Sequence, residues 1–173
     1  MKTLPTTAHH WVLQQVRWQI FGTLTFKQAR LPERFRLSMF FAMLRKLADR
    51  LHVYFPNLVW ALRQEGDGQA SHRHFHFLIA GLPRHAATNR TCSFLSDQWQ
   101  RLGGGMARIA LYDPTLGGVA YILKYSGKAI QMGGIESAKF GPRNCELMLS
   151  HSLERMLMAR RKDRESSSTP EKV

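Results

Sequence analysis

Residues 71–80 carry the sequence Ser-His-Arg-His-Phe-His-Phe-Leu-Ile-Ala, and this alternating stretch decides the fold. Side chains on a β-strand point to its two faces in turn, so the three histidines share one face. The other face carries Arg73, Phe75, Phe77 and Ile79. The two phenylalanines and Ile79 predict a strand packed on a hydrophobic core, with the histidines turned toward a cleft or solvent.

The segments around this strand predict an antiparallel sheet. Residues 58–63 form a second predicted strand, and the turn-forming residues 65–68 (Glu-Gly-Asp-Gly) connect it to the histidine strand as a β-hairpin. Residues 16–26 and 107–111 are rich in β-forming side chains. Residues 135–140 are ambiguous, with a fifth strand as one interpretation.

Helices are predicted between these strands and after them. Pro32 opens a helix to about His52, and its core-facing stripe is predicted to comprise Phe35, Met39, Ala42, Met43, Leu47 and Leu51. Further helices are predicted over residues 93–102, 119–128 and 144–164. We therefore expect one α+β domain over residues 1–164, with about five antiparallel strands and helices mainly on one face. Residues 165–173 form a polar tail that we expect to be disordered.

Composition indicates a polyanionic partner. The chain of 173 residues has 25 lysines and arginines against 12 acidic residues, a formal net charge of +13. Such a charge favours binding to nucleic acid without specifying a sequence. The longest apolar run, residues 39–44, is too short for a membrane span, and the N-terminus has no secretory pattern. We expect a cytoplasmic protein in which Cys92 and Cys145 are free thiols.

The histidine face predicts a metal site. Residues two apart on a strand lie roughly 6.5–7 Å apart, so neighbouring imidazoles can reach one ion, whereas His72 and His76 are about 13 Å apart. We select His74 and His76, because Phe75 between them packs into the core while Arg73 lies near the turn. Because His72 is a third histidine on the same face, the pair His72 and His74 remains an alternative to His74 and His76.

A divalent cation that serves phosphate usually takes an oxygen ligand as well. Glu65 is the first candidate, because the hairpin turn would return it beside the histidines. Asp67 is the second, although an acid at a loop tip is held less firmly. The alternative interpretation is a set of solvated histidines on an exposed sheet face.

The predicted helix over residues 119–128 presents two tyrosines and two lysines on one side. At about 100° per residue, Tyr121, Lys124, Tyr125 and Lys128 fall within one arc of about 100°. Such a face suits a phenolate that attacks a phosphate while lysine offsets the charge on its oxygens. The alternative is a helix whose tyrosines pack at the sheet rim and whose lysines are solvated.

Three segments, in this order, resemble the motifs of the HUH endonucleases, a superfamily named for two histidines around a hydrophobic residue. They are Phe21-Gly22-Thr23-Leu24-Thr25-Phe26, His74-Phe75-His76 and Tyr121-Ile122-Leu123-Lys124-Tyr125-Ser126-Gly127-Lys128. The last is similar to the tyrosine-x-x-lysine-tyrosine-x-x-lysine motif of two-tyrosine rolling-circle replication initiators. Residues 139–143 also resemble a phenylalanine-glycine-x-arginine element of bacterial and phage members.

The resemblance implies a ferredoxin-like or RNA-recognition-motif-like sheet and site-specific nicking of single-stranded DNA with Mg²⁺ or Mn²⁺. It implies that His74, His76 and Glu65 hold the metal and that Tyr121 attacks the scissile phosphate, giving a 5′-phosphotyrosyl link. Tyr125 would then be the second nucleophile, and Lys124 would position the phosphate.

Candidate contacts to DNA phosphates are Lys128, Arg73 and His72. The expected partner is single-stranded DNA at an origin or hairpin. A host helicase is a further candidate partner, because the chain has no phosphate-binding glycine loop of its own.

Three alternatives remain beside rolling-circle initiation. A single-strand transposase or mobilisation nickase would use the same chemistry for another element. A catalytically idle nucleic-acid-binding regulator would show salt-dependent binding without a covalent product. A metal hydrolase with water as nucleophile would not need the tyrosines.

Overall fold

The computed structural model describes residues 5–28, 30–66, 73–123, 138–140 and 145–166. Within them, six strands form one sheet in the order β4-β1-β3-β2-β6-β5, and every neighbouring pair is antiparallel. The strands are β1 Ile20–Phe26, β2 Val59–Glu65, β3 His74–Ala80, β4 Gly104–Leu111, β5 Ala138–Phe140 and β6 Cys145–Leu149. The predicted α+β class with an antiparallel sheet is confirmed.

Helices pack on both faces of this sheet. They are α1 Pro5–Gln15, α2 Glu33–Leu51, α3 Asn89–Arg101, α4 Gly118–Leu123 and α5 His151–Ser166. Helices α2 and α3 cover the face that carries Phe75, Phe77 and Ile79, whereas α1, α4 and α5 contribute to a second apolar cluster. The prediction of helices mainly on one face is therefore wrong. The histidine face of β3 continues into Leu78 and Ala80, and this apolar end is buried in the second cluster.

The predicted hairpin is confirmed, and its register determines the site. Glu65 pairs with His74 and Arg63 pairs with His76. Directly opposite residues of an antiparallel pair project from the same face. Phe75 and Phe77 on the opposite face are fully buried, as the alternation predicted.

Gly22 in β1 allows the ring of Phe77 to lie against the sheet. The two residues are paired across β1 and β3. A Cβ atom at position 22 would lie 2.4 Å from two ring carbons of Phe77. Because such an approach is far inside van der Waals contact, only glycine fits without a shift of the ring.

The prediction of one helix over residues 144–164 is wrong in its first part. Residues Cys145–Leu149 form β6, paired with β2, and the helix begins at His151. Leu147 and Leu149 are buried with the period of two that a strand requires. Residue 144 lies outside the described part of the chain.

Other boundaries differ from the predictions in identifiable ways. Helix α1 was not predicted, and the strand predicted from residue 16 begins only at Ile20. The stripe of α2 is rotated, because Phe35 is 48% exposed while Phe40 and Leu44 are fully buried. Helix α3 begins earlier than predicted, at Asn89. Thr88 caps its N-terminus, because the Thr88 side chain accepts a hydrogen bond from the Thr91 N–H.

Several remaining predictions can be placed only in part. Cys92 is a buried free thiol, whereas the side chain of Cys145 lies outside the described part of the chain. The start of the tail predicted over residues 165–173 is wrong, because α5 continues to Ser166, and residues 167–173 lie outside the described part. None of the helices in the described ranges is long and apolar enough to cross a membrane.

Candidate metal centre

Glu65, His74 and His76 come together at one end of the histidine face. The Oε2 atom of Glu65 lies 3.3 Å from Nε2 of His74 and 3.6 Å from Nε2 of His76. One ligand atom from each residue lies within 4.8 Å of the others. The hairpin register thus brings together the three residues that the sequence selected as metal ligands.

The donor set fits a divalent cation. Nε2 of His76 is buried, and among the described residues it has no hydrogen-bond partner. Ions such as Mg²⁺ bind their ligands at about 2.1 Å, so ligand atoms around one ion lie roughly 3–4 Å apart. Two imidazoles and a carboxylate with this spacing could hold a divalent metal ion, and an ion between them would also satisfy the buried His76 nitrogen.

Thr23 supports His76 from the neighbouring strand. Its Oγ1 lies 2.9 Å from Nδ1 of His76, and the two residues are paired across β1 and β3. With the ring proton on Nδ1, His76 donates to the threonine hydroxyl and presents the lone pair of Nε2 toward Glu65. Contacts of this kind fix the tautomer and orientation of metal-binding histidines.

Arg63 connects the carboxylate to helix α4. The arginine is 3% exposed, and its Nε lies 3.0 Å from Oε1 of Glu65. Its Nη1 donates to the backbone carbonyls of Tyr121 at 3.2 Å and Ile122 at 2.9 Å. The sequence contained a signal for this residue, because Arg63 lies two positions before Glu65 and therefore on the same strand face.

These neighbours keep Glu65 ionised. The imidazole of His74, and next that of His76, lowers the pKa of the Glu65 carboxyl well below its ordinary value. The positive charge of Arg63 lowers this pKa further, against the opposing effect of burial. An ionised carboxylate is the form that binds a metal ion.

Tyr121 lies beside the histidines. Its ring centroid is 4.6 Å from that of His76 in an edge-to-face arrangement, and the residue is 39% exposed. The ring of Phe21 in β1 lies beside both of these rings. Its centroid is 6.3 Å from that of Tyr121 and 6.4 Å from that of His76. Ile122 and Leu123 of α4 are buried in the second apolar cluster. The predicted first nucleophile is thus an exposed residue whose ring lies against a candidate metal ligand.

The other predicted site residues are only partly placed. Arg73 is half-buried immediately before β3, beside Gly66. Four predicted site residues and the second candidate acid lie outside the described part of the chain: Lys124, Tyr125, Lys128, His72 and Asp67. The supporting residues Thr23, Phe21 and Arg63 were not singled out from the sequence as parts of the site.

Searches against protein-family models, curated proteins and solved structures gave no match to this chain. The chemistry of the centre therefore has to be inferred from its own residues.

Proposed function

We propose that this protein is a metal-dependent nickase and strand transferase of single-stranded DNA, of the HUH endonuclease type, that initiates rolling-circle replication of a plasmid or phage. The observation that carries the proposal is the contact between Tyr121 and His76 in a cluster that also holds His74 and Glu65. A tyrosine beside two imidazoles and an ionised carboxylate is suited to phosphodiester transfer.

The transfer would exchange one phosphate ester for another. The phenolic oxygen of Tyr121 loses its proton, attacks phosphorus and forms a tyrosyl phosphate ester. The bond from phosphorus to the 3′-oxygen breaks, and this oxygen takes up a proton and leaves as a hydroxyl. A divalent ion held by Glu65, His74 and His76 would supply positive charge to the non-bridging oxygens. Because the ester bond is retained, a later 3′-hydroxyl can rejoin the strand without ATP.

The charge of the chain supports a DNA substrate. A net charge of +13 attracts the phosphate backbone and makes binding dependent on salt. The exposed part of Tyr121 leaves the ring accessible from solvent, as an attack on a large substrate requires. In this proposal Tyr125 acts as the second nucleophile, Lys124 positions the phosphate, and Lys128, Arg73 and His72 contact the backbone.

The test is the covalent product. The full chain is incubated with Mn²⁺ and a pool of end-labelled single-stranded DNA of random sequence, and the products are separated under denaturing conditions. We expect an adduct that resists denaturation, with mass spectrometry locating the nucleotide on Tyr121. Tyr121→Phe should remove it, whereas Tyr54→Phe should not, because Tyr54 is 72% exposed in the turn after α2.

Each other outcome has a defined meaning. Wild-type protein that binds DNA without forming an adduct would be a regulator, and one that cleaves without an adduct would be a water-dependent hydrolase. Either result overturns the proposal. Adduct that survives Tyr121→Phe but is lost with Tyr125→Phe would reverse the order of the nucleophiles.

A further inference from the structure

Arg63 is a buried cation that contacts two parts of the candidate site. Its Nε lies 3.0 Å from Oε1 of Glu65, whereas Oε2 of the same carboxylate faces the histidines. Its Nη1 donates to the carbonyl oxygens of Tyr121 and Ile122 in α4. The side chain of Arg63 therefore contacts both Glu65, a candidate metal ligand, and the backbone of Tyr121, the candidate nucleophile.

Both sets of contacts restrict movement. Glu65 belongs to β2, whose backbone is paired with β3 on one side and β6 on the other. A guanidinium group is planar and rigid, so its Nε and Nη1 cannot move independently. A rotation of the Glu65 carboxylate would displace the guanidinium, and this displacement would change its contacts with α4. The contact with Oε1 of Glu65 is a buried ion pair, whereas the two contacts with α4 are hydrogen bonds from a charged donor, which are stronger than neutral ones.

We infer that Arg63 is a positioning residue that couples metal binding at Glu65 to the placement of helix α4. The catalytic meaning of this coupling rests on the proposed function, because Tyr121 is the nucleophile only there. The coupling itself is a property of the fold. Glu65, held in place by a bound cation, would restrict Arg63 through their ion pair, and Arg63 would in turn restrict the backbone at Tyr121. Metal binding would thus order the tyrosine before DNA arrives.

The coupling is testable without DNA. Amide hydrogen exchange is measured by mass spectrometry on the full chain, in EDTA and at saturating Mn²⁺. In wild-type protein we expect Mn²⁺ to slow exchange about tenfold in the peptide that covers residues 118–123, because metal binding suppresses its local opening. The peptide that covers β3 should also be slowed and reports that the metal is bound.

Two Arg63 variants and one matched control separate coupling from folding. In Arg63→Gln and Arg63→Lys, Mn²⁺ should still slow exchange in β3 but no longer in residues 118–123. The lysine variant keeps the buried positive charge, so it can be measured if the glutamine variant does not fold. Its single ammonium group cannot contact Glu65 and the α4 carbonyls together as the planar guanidinium does. Arg36→Lys is the control, because Arg36 is equally buried but contacts Gln64 and the Leu31 carbonyl instead. This control should retain the slowing at α4.

The outcomes distinguish this inference from the proposed function. Retained slowing at α4 in either Arg63 variant overturns the coupling, as does a wild-type protein in which Mn²⁺ slows β3 alone. Where wild-type protein forms the DNA adduct, Arg63→Lys should lower its single-turnover rate at saturating Mn²⁺ by about 100-fold, through misplacement of Tyr121. Slowing at α4 without any adduct in wild-type protein would reject the nickase and leave the coupling intact.

Discussion

Thr23 Oγ1 lies 2.9 Å from Nδ1 of His76, on the edge of the imidazole that faces away from Glu65. The contact connects β1 to the candidate metal ligand through the pairing of β1 and β3. It leaves Nε2, on the other edge of the ring, as the nitrogen that a cation could reach. We therefore expect the metal affinity of this centre to depend on a residue that would not touch the metal.

Thr23→Val should weaken Mn²⁺ binding by about 10–100-fold, because the valine cannot accept the Nδ1 proton and the ring loses its fixed tautomer. Isothermal titration calorimetry checks the change. Thr25→Val is the matched control on the same strand, since the Thr25 hydroxyl contacts the backbone of Met106 and not a histidine. Equal losses in the two variants would contradict a specific role for Thr23.

His74→Ala and His76→Ala should each weaken Mn²⁺ binding more than Thr23→Val does, because each removes a direct ligand. The loss should therefore exceed about 100-fold, the upper end of the range expected for Thr23. His85→Ala, at an exposed position outside the cluster, should bind as wild type. The same titration decides the histidine register. If His72→Ala alone abolished binding, the pair at positions 74 and 76 would be the wrong one.

Gly22→Ala should destabilise the protein by about 1–3 kcal/mol, because the new Cβ would lie 2.4 Å from two ring carbons of Phe77. Urea unfolding in the presence of EDTA measures this effect without any contribution from metal. In the double variant Gly22→Ala with Phe77→Leu, the cost of the alanine should be smaller, since the ring that it meets is gone. If the losses in the free energy of unfolding of the two single variants simply added in the double variant, the Phe77 ring would not be the source of the cost at position 22.

The stability of the metal-free protein should fall as the pH falls below about 5, in part through Glu65. Hydrogen bonding from His74 holds the pKa of Glu65 in the folded protein below its ordinary value of 4.5, with His76 and Arg63 acting in the same direction. The unfolded chain therefore binds the proton first as the pH falls, and the contribution of Glu65 is complete only above its unfolded pKa.

Urea unfolding in EDTA at about pH 6 and about pH 4 measures this loss. Glu65→Gln should show a smaller decrease between the two, because its side chain does not titrate. The variant leaves every other ionisable group of the chain in place, so the decrease that remains in it is the background. A decrease as large as in wild type would rule out Glu65 as a source of the acid sensitivity.

Strict alternation made the central part of the fold predictable. The strand has two different faces, because its odd-numbered positions carry Phe75 and Phe77 and its even-numbered positions carry His74 and His76. The glycine-rich turn predicted after Glu65 indicates the hairpin. These local signals favour the three candidate ligands, with His72 and Asp67 as the alternatives that they leave open. They do not indicate Thr23 and Phe21, because the contacts of these residues with His76 depend on how β1 is aligned with β3.

Residues 145–153 show why other elements were harder to predict. Leu147, Leu149 and Leu153 are spaced by two and by four, a pattern compatible with a strand followed by a helix or with one amphipathic helix. The pairing with β2 selects the strand for the first two leucines. In α2, local spacing could not determine the side that faces the core, and the contacts of Phe40 with the sheet determine it.

The location of β3 inside the sheet has a consequence for the persistence of the site. This strand has paired neighbours on both sides, and its two faces carry side chains of two separate apolar clusters. Segments of this kind open only when a large part of the molecule unfolds. We therefore expect His74 and His76 to exchange among the slowest of the described residues, so that the imidazole pair keeps its geometry while less stable segments open and close.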